Sequence, residues 1–303
     1  EVCNLVEKPY VFFAQFKDDY LKLPQEILIT TMKKNQKYFP LYNDKNKLSN
    51  HFLLISNINP PDLGAMIIEG NQRVVNARLE DAAFFWKRDI GKNFQDFYKK
   101  LDKLIFHSEL GTIQDKVTRL KKLAKQISKS LKLNKIEEKD FFLIVDLFKN
   151  DLVTETVKEF PELQGVMGSY YASIAKYNSN ISKAIYDQYK PLGPSDKLPR
   201  TNLGKLVSLI DKVDTLVGFF IIGKKPSSSK DPFALRRTAL GIIRIIVEGR
   251  LDISLSDIVF RSLDTFKDYS FSKKLMNTKY CDIFSNQILY FILERYENLV
   301  KEN

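Results

Sequence analysis

Apolar residues change their spacing once along this chain. Near the start they form β-rich runs, and from Gly70 onward they recur with a helical period. Tyr10-Val11-Phe12-Phe13-Ala14-Gln15-Phe16 predicts a strand, and His51-Phe52-Leu53-Leu54-Ile55-Ser56-Asn57-Ile58 predicts a second, buried one. Between them, residues 23–32 read as a Pro-started helix. Residues 43–47 read as a hairpin-like turn leading from 38–42 into the second strand. Asn59-Pro60-Pro61-Asp62 closes this section.

The helical period predicts helices over 71–87, 94–106, 113–131, 139–159, 169–177, 181–189, 202–222 and 232–248. A looser segment follows Asp264, and an amphipathic helix covers 288–296. The expected fold is α+β. A small mixed α/β part spans 1–69, a mostly helical domain spans 70–265, and a linker with the start of a further region spans 266–303. No internal repeat is visible.

At 303 residues there is room for about two domains with their own cores. Hydrophobic content of 44% and aromatic content of 12% describe a globular protein. No window approaches a membrane-spanning helix, and the first residues lack a secretory signal. They also lack an initiator Met, which with the unpartnered last helix suggests a piece of a longer polypeptide. Two distant cysteines, Cys3 and Cys281, build neither a disulfide framework nor a zinc site and suit a reducing cytoplasm. Lys and Arg total 48 against 37 Asp and Glu, a net charge of +11. That favours an anionic partner, nucleic acid before membrane. A Lys-, Asn- and Ile-rich composition is another source of basicity, so charge alone shifts the reading little.

One local pattern stands out. Asp231 then Pro232 reads as a helix N-cap followed by the first helical position, which places Arg236 and Arg237 in the first turn, against the helix dipole. Such a pair fits an anionic partner, a buried carboxylate pair such as Asp211 and Asp214, or simple solvation. The basic loop Lys224-Lys225-Pro226-Ser227-Ser228-Ser229-Lys230 leads into it.

Catalytic signatures are sparse. There is no GxxxxGK[ST], GxGxxG or HExxH. Only His51 and His107 are present, which excludes a multi-histidine metal site and leaves little for a Ser/His/Asp or Cys/His arrangement. His51 reads as structural or surface. His107, a dyad position at Asn150-Asp151 and Asp211 fall on successive predicted helices. This resembles the HD phosphohydrolase fold, with Asn150 where the dyad histidine would stand. A neutral amide is a poor metal ligand, so a scaffold that kept the shape and lost the metal is the expectation, with no catalytic residue assigned. Asp211 and Asp214, three apart, read as helix-surface ion-pairing groups.

Several blocks together resemble one family, the β subunit of the bacterial heterotetrameric glycine–tRNA ligase. They are Leu28-Ile29-Thr30-Thr31-Met32-Lys33-Lys34-Asn35-Gln36-Lys37-Tyr38-Phe39-Pro40, and Gly70-Asn71-Gln72-Arg73-Val74-Val75-Asn76-Ala77-Arg78-Leu79-Glu80-Asp81-Ala82-Ala83-Phe84-Phe85. Then come Phe106-His107-Ser108-Glu109-Leu110-Gly111-Thr112 with Asp115-Lys116, and Glu159-Phe160-Pro161-Glu162-Leu163-Gln164-Gly165-Val166-Met167-Gly168. The last are Asp211-Lys212-Val213-Asp214-Thr215-Leu216 and Lys230-Asp231-Pro232-Phe233-Ala234-Leu235-Arg236-Arg237. They run in family order over about residues 1–265, and the chain looks like the middle of that subunit. Asn35 and Asn76 depart from the family's pattern.

The resemblance implies a degenerate HD-like domain and a β subunit that binds tRNA(Gly). A partner α subunit would activate glycine with ATP and Mg, and the location would be cytoplasmic. It implies no cofactor in this chain, no membrane and no DNA. On charge and position, the tRNA-contacting candidates are Arg73, Arg78, Lys224, Lys225, Lys230, Arg236 and Arg237. For Arg73 and Arg78, pairing with Glu80 and Asp81 is the competing expectation. A metal-dependent phosphohydrolase and a purely structural α-binding module are the alternatives.

Overall fold

The computed structural model describes residues 2–227, 229–269 and 278–302. The chain packs as two compact units, Glu1–Lys92 with Thr154–Gln164, and Asn93–Val153 with Gly165–Asn303.

The first unit is built on a three-stranded antiparallel sheet of β1 (Tyr10–Gln15), β2 (Phe39–Tyr42) and β3 (Leu48–Ser56), in the order β1-β3-β2. Alternation along the strands sends Ala14, Phe52 and Leu54 to one face. There they meet Leu28 of α1 (Gln25–Thr30), Met32, Tyr38, and Val75 and Leu79 of α2 (Ala65–Ile90) in a single core. The turn at 43–47 lies where the pattern predicts it: the Asn43 carboxamide oxygen accepts from the Lys45 and Lys47 N–H groups.

The long helix starts six residues earlier than its periodicity suggests. The Asp62 carboxylate accepts from the Gly64 and Met66 N–H groups at 3.0 and 2.9 Å. Gly64, at φ +87°, lies against the Phe12 ring, and a Cβ there would come within 2.3 Å of it. Gly70, where the helical period begins in the sequence, therefore lies inside a continuous helix. Near the other end of α2, buried Asp89 accepts from the N–H groups of Glu155 and Thr156 at 3.0 and 2.9 Å and from the Thr156 hydroxyl at 2.7 Å. It thereby caps α5 (Glu155–Glu159).

The second unit is helical. Its centre is α8 (Asn202–Ile221), which is buried over most of its length. Packed against it are α3 (Ile113–Ser128), α4 (Lys135–Leu147), α7 (Ser179–Asp187), α9 (Leu235–Val247), α10 (Leu255–Thr265) and α11 (Thr278–Glu302); α6 (Val166–Ile174) lies on α7. The expectation of helix over 94–106 is corrected. A 3-10 helix covers Phe94–Lys103, and the chain then forms a ribbon of β4 (Ile105–His107) and β5 (Gly111–Thr112). Gly111 at φ +84° permits the tight return. The helix expected over 139–159 is likewise interrupted. α4 stops at Leu147, and Asn150–Val153 is a 3-10 turn whose side chains bond to other elements. The looser segment expected after Asp264 falls partly on residues 270–277, outside the described residues. Among the described residues, no helix is long and apolar enough to cross a membrane.

Candidate nucleic-acid interface and the ion-paired helical centre

Asp211 and Asp214 are not surface groups. Both are buried on α8, where a helix row meets α3 and the end of α4. Lys116 of α3 places its Nζ 3.1 Å from Asp211 Oδ1 and 3.0 Å from Asp214 Oδ2, and donates to the Thr215 hydroxyl at 2.7 Å. Arg119, one turn further on, donates from Nε to Asp214 Oδ1 at 2.8 Å and from Nη2 to Oδ2 at 3.3 Å. Lys149 donates to Asp211 Oδ2 at 2.9 Å. Aromatic rings line the cations: Phe106 under Lys116, Phe266 under Arg119, Tyr189 under Lys149.

Two carboxylates thus share three buried cations. Burial alone would raise both carboxyls; Lys116 with Lys149 and Arg119 with Lys116 outweigh it and hold Asp211 and Asp214 below the ordinary carboxylate range. For Lys149, burial, helped by the nearby Lys116 ammonium, outweighs the pull of Asp211 and Asp151, and its ammonium is held below the ordinary lysine range. The cations on the Asp211–Asp214 row are Lys116, Arg119 and Lys149 rather than the Arg236 or Arg237 of the clamp alternative, and the pairing is buried where the sequence pattern places it on the helix surface. The sequence offered only a weak pointer, since Lys116 and Asp214 lie 98 positions apart.

The four positions of the HD-like pattern do not assemble a ligand set. His107 accepts at Nδ1 from the Glu109 N–H at 3.1 Å, and its ring packs edge-on against Phe219 and Phe233. Asn150 donates to the Phe94 carbonyl at 3.0 Å. Asp151 Oδ2 accepts from the Gly165 and Gly168 N–H groups at 2.5 and 3.1 Å, and Asp211 is held by two ammoniums. Among the described residues no group of three or more His, Cys, Asp or Glu is placed to hold a metal. The residues do not fit a divalent cation: one donor is an amide and the carboxylates already face N–H groups and ammoniums. Burial pushes the Asp151 carboxyl up to about 6, opposed by the Gly165 and Gly168 N–H groups.

The basic candidates divide between the units. Arg73 and Arg78 lie on the exposed side of α2 in the first. Arg73 pairs with Glu69 at 2.9 Å, one turn earlier, rather than with Glu80 or Asp81; Arg78 has no ion pair among the described residues. Asn76 is structural. It accepts from the Lys17 N–H at 3.0 Å and donates to the Gln72 carbonyl at 2.7 Å. The side chain of Asn35 lies outside the described residues.

The others are in the second unit. Lys224 is 3.7 Å from Glu109, and Lys225 donates to Gln287 Oε1 at 2.6 Å. Lys230 is exposed, without a side-chain partner among the described residues. α9 begins at Leu235, three residues beyond the position expected for Pro232. Asp231 still caps it, accepting from the Leu235 and Arg236 N–H groups at 2.8 and 2.9 Å, while Ala234 turns the chain at φ +53°. Arg236 donates to the Ser227 carbonyl and so ties the helix start to the basic loop. Arg237 is exposed with no partner among the described residues.

Fold and centre together define an α+β protein whose helical core is held by internal ion pairs, with exposed cations, Lys230 and Arg237, displayed at one helix start. The chain belongs to the glycyl-tRNA synthetase beta subunit family, whose description matches residues 1–303. It is 43% identical over 302 residues to the glycine–tRNA ligase beta subunit of Janthinobacterium sp. (strain Marseille), covering 100% of this chain and 41% of that protein. The same-named protein of Acinetobacter baumannii is 45% identical over 268 residues, covering 88% of this chain and 38% of its own length. That of Methylobacillus flagellatus is 44% identical over 267 residues, covering 88% and 37%. The chain therefore spans about two-fifths of the length of these relatives.

Proposed function

We propose that this chain serves glycyl-tRNA formation by contacting tRNA(Gly), while a partner α subunit activates glycine with ATP and Mg in the cytoplasm. The observation that carries the reading is the start of α9. Asp231 neutralises the free N–H groups there, yet exposed Arg237 and Lys230 beside it have no carboxylate partner among the described residues. Buried Asp211 and Asp214 are already paired with Lys116, Arg119 and Lys149, so these acids do not compete for the exposed cations. Phosphates are its natural counter-ion, and an A-form duplex would be read by shape and backbone rather than by base edges.

The test is aminoacylation by α plus full-length β carrying Arg236→Ala and Arg237→Ala. The expected result is a raised KM for tRNA with the KM for glycine and ATP unchanged. An unchanged tRNA KM in a normally folded subunit removes these residues from the RNA site.

A further inference from the structure

One face of the β1-β3-β2 sheet is buried in the core of the first unit, and the other carries a second apolar surface. Register places Phe13, Leu53 and Phe39 in a single row across the three strands, and pairs Val11 with Ile55 in the next row. Val11, Phe13 and Phe39 are 58%, 57% and 43% exposed. Phe13 stacks on His51 with ring centroids 4.8 Å apart and an interplanar angle of 25°. An exposed apolar sheet face of this kind marks a binding surface.

We infer that this face is a stacking platform for unpaired RNA bases. None of the residues in the three strands is Asp, Glu, Lys or Arg, so the face is neutral and a base would meet no fixed charge there. The row beside the Phe13–Leu53–Phe39 row is uncharged but polar, Gln15 standing opposite His51. That mixture suits a base, which offers a π-face together with donors and acceptors on its edge. Exposed Lys8, Lys17, Lys45 and Lys47 at the strand ends, against Glu7, Asp18 and Asp44, leave the rim slightly basic for the phosphates. The inference rests on the RNA reading above and adds a second, unpaired class of contact to it.

The experiment measures binding of this chain to a labelled short unpaired RNA, to a duplex of the same length and to a tRNA transcript. Phe13→Ala is expected to weaken unpaired-RNA affinity about tenfold or more and to leave the duplex unchanged, whereas Phe13→Tyr, which keeps the ring, retains affinity. Because Phe13 is exposed, both variants should unfold at the wild-type temperature. Unchanged unpaired-RNA affinity in Phe13→Ala overturns the platform, as does a Phe13→Ala effect confined to self-association or to α-subunit binding. If Arg236→Ala/Arg237→Ala weakens tRNA binding while Phe13→Ala does nothing, only the platform falls. If the wild-type chain binds no RNA, the reading beneath it falls too.

Discussion

Lys149 Nζ lies 2.9 Å from Asp211 Oδ2, both groups inside the helical unit, and Asp211 holds a second ammonium, that of Lys116, at 3.1 Å. The two members of this pair are unequal. Asp211→Asn would leave two buried ammoniums facing an amide, and the expected loss is about 3–5 kcal/mol of unfolding free energy. Lys149→Met removes one of the two cations on Asp211 and leaves it still paired with Lys116, so a smaller loss is expected. Chemical denaturation of the two variants and the double variant gives the coupling directly. A Lys149→Met loss as large as that of Asp211→Asn would contradict the ranking.

Asp151 gives a pH dependence of known sign. Its carboxyl is raised to about 6 in the folded chain from the ordinary 3.8. The folded state therefore binds more protons than the unfolded state between these values, and this group's contribution to stability falls as pH rises through that interval, by roughly 3 kcal/mol. Asp151→Asn removes the dependence while keeping an oxygen for the Gly165 and Gly168 N–H groups. Measured as wild type minus variant, stability should rise on acidification from neutral pH to below 4. A difference that stays flat would place the titration elsewhere.

The elements were largely legible because apolar spacing reports them: the sheet strands, α2, α8 and α9 lie near their predicted positions. Boundaries failed where side chains, not periodicity, decide them. Asp62 extends α2 backwards, and Asp231 caps α9 from outside the helix instead of opening it. The ribbon at Ile105–His107 was hidden because Phe106 and Ile105 suit a helix as well as a strand. The amide at Asn150, where the HD-like pattern would have a histidine, was visible in the sequence. The ion-paired centre was not, because Lys116, Arg119 and Lys149 look like ordinary surface cations until tertiary packing brings α3 and the end of α4 to α8.

Gly168 is a packing position. A Cβ there would lie 2.8 Å from Ile185 Cγ2 and 3.0 Å from Asp151 Oδ2. Gly168→Ala should cost about 1–3 kcal/mol by forcing α6 away from α7 and stretching the Asp151 hydrogen bonds. Gly70→Ala is the control, since that position has nothing within 4 Å and sits on an exposed helix face; it should be neutral or slightly stabilising. Thermal unfolding of the two variants, run together, separates local clash from any general intolerance of alanine.

The salt dependence of tRNA binding discriminates among the surface cations. Each phosphate neutralised contributes about 0.9 to the slope of log K against log salt on duplex nucleic acid. Arg237 and Lys230 have no side-chain partner to give up among the described residues, so each alanine variant should lower the slope by about 1 if that side chain meets a phosphate. Arg73 is already paired with Glu69 at 2.9 Å, so Arg73→Ala should change the slope less, because binding there must first exchange one anion for another. Titrations of full-length β with tRNA over a salt series give all three slopes. An Arg73→Ala change exceeding those of Arg237→Ala and Lys230→Ala would move the principal phosphate contacts from the start of α9 to the exposed side of α2.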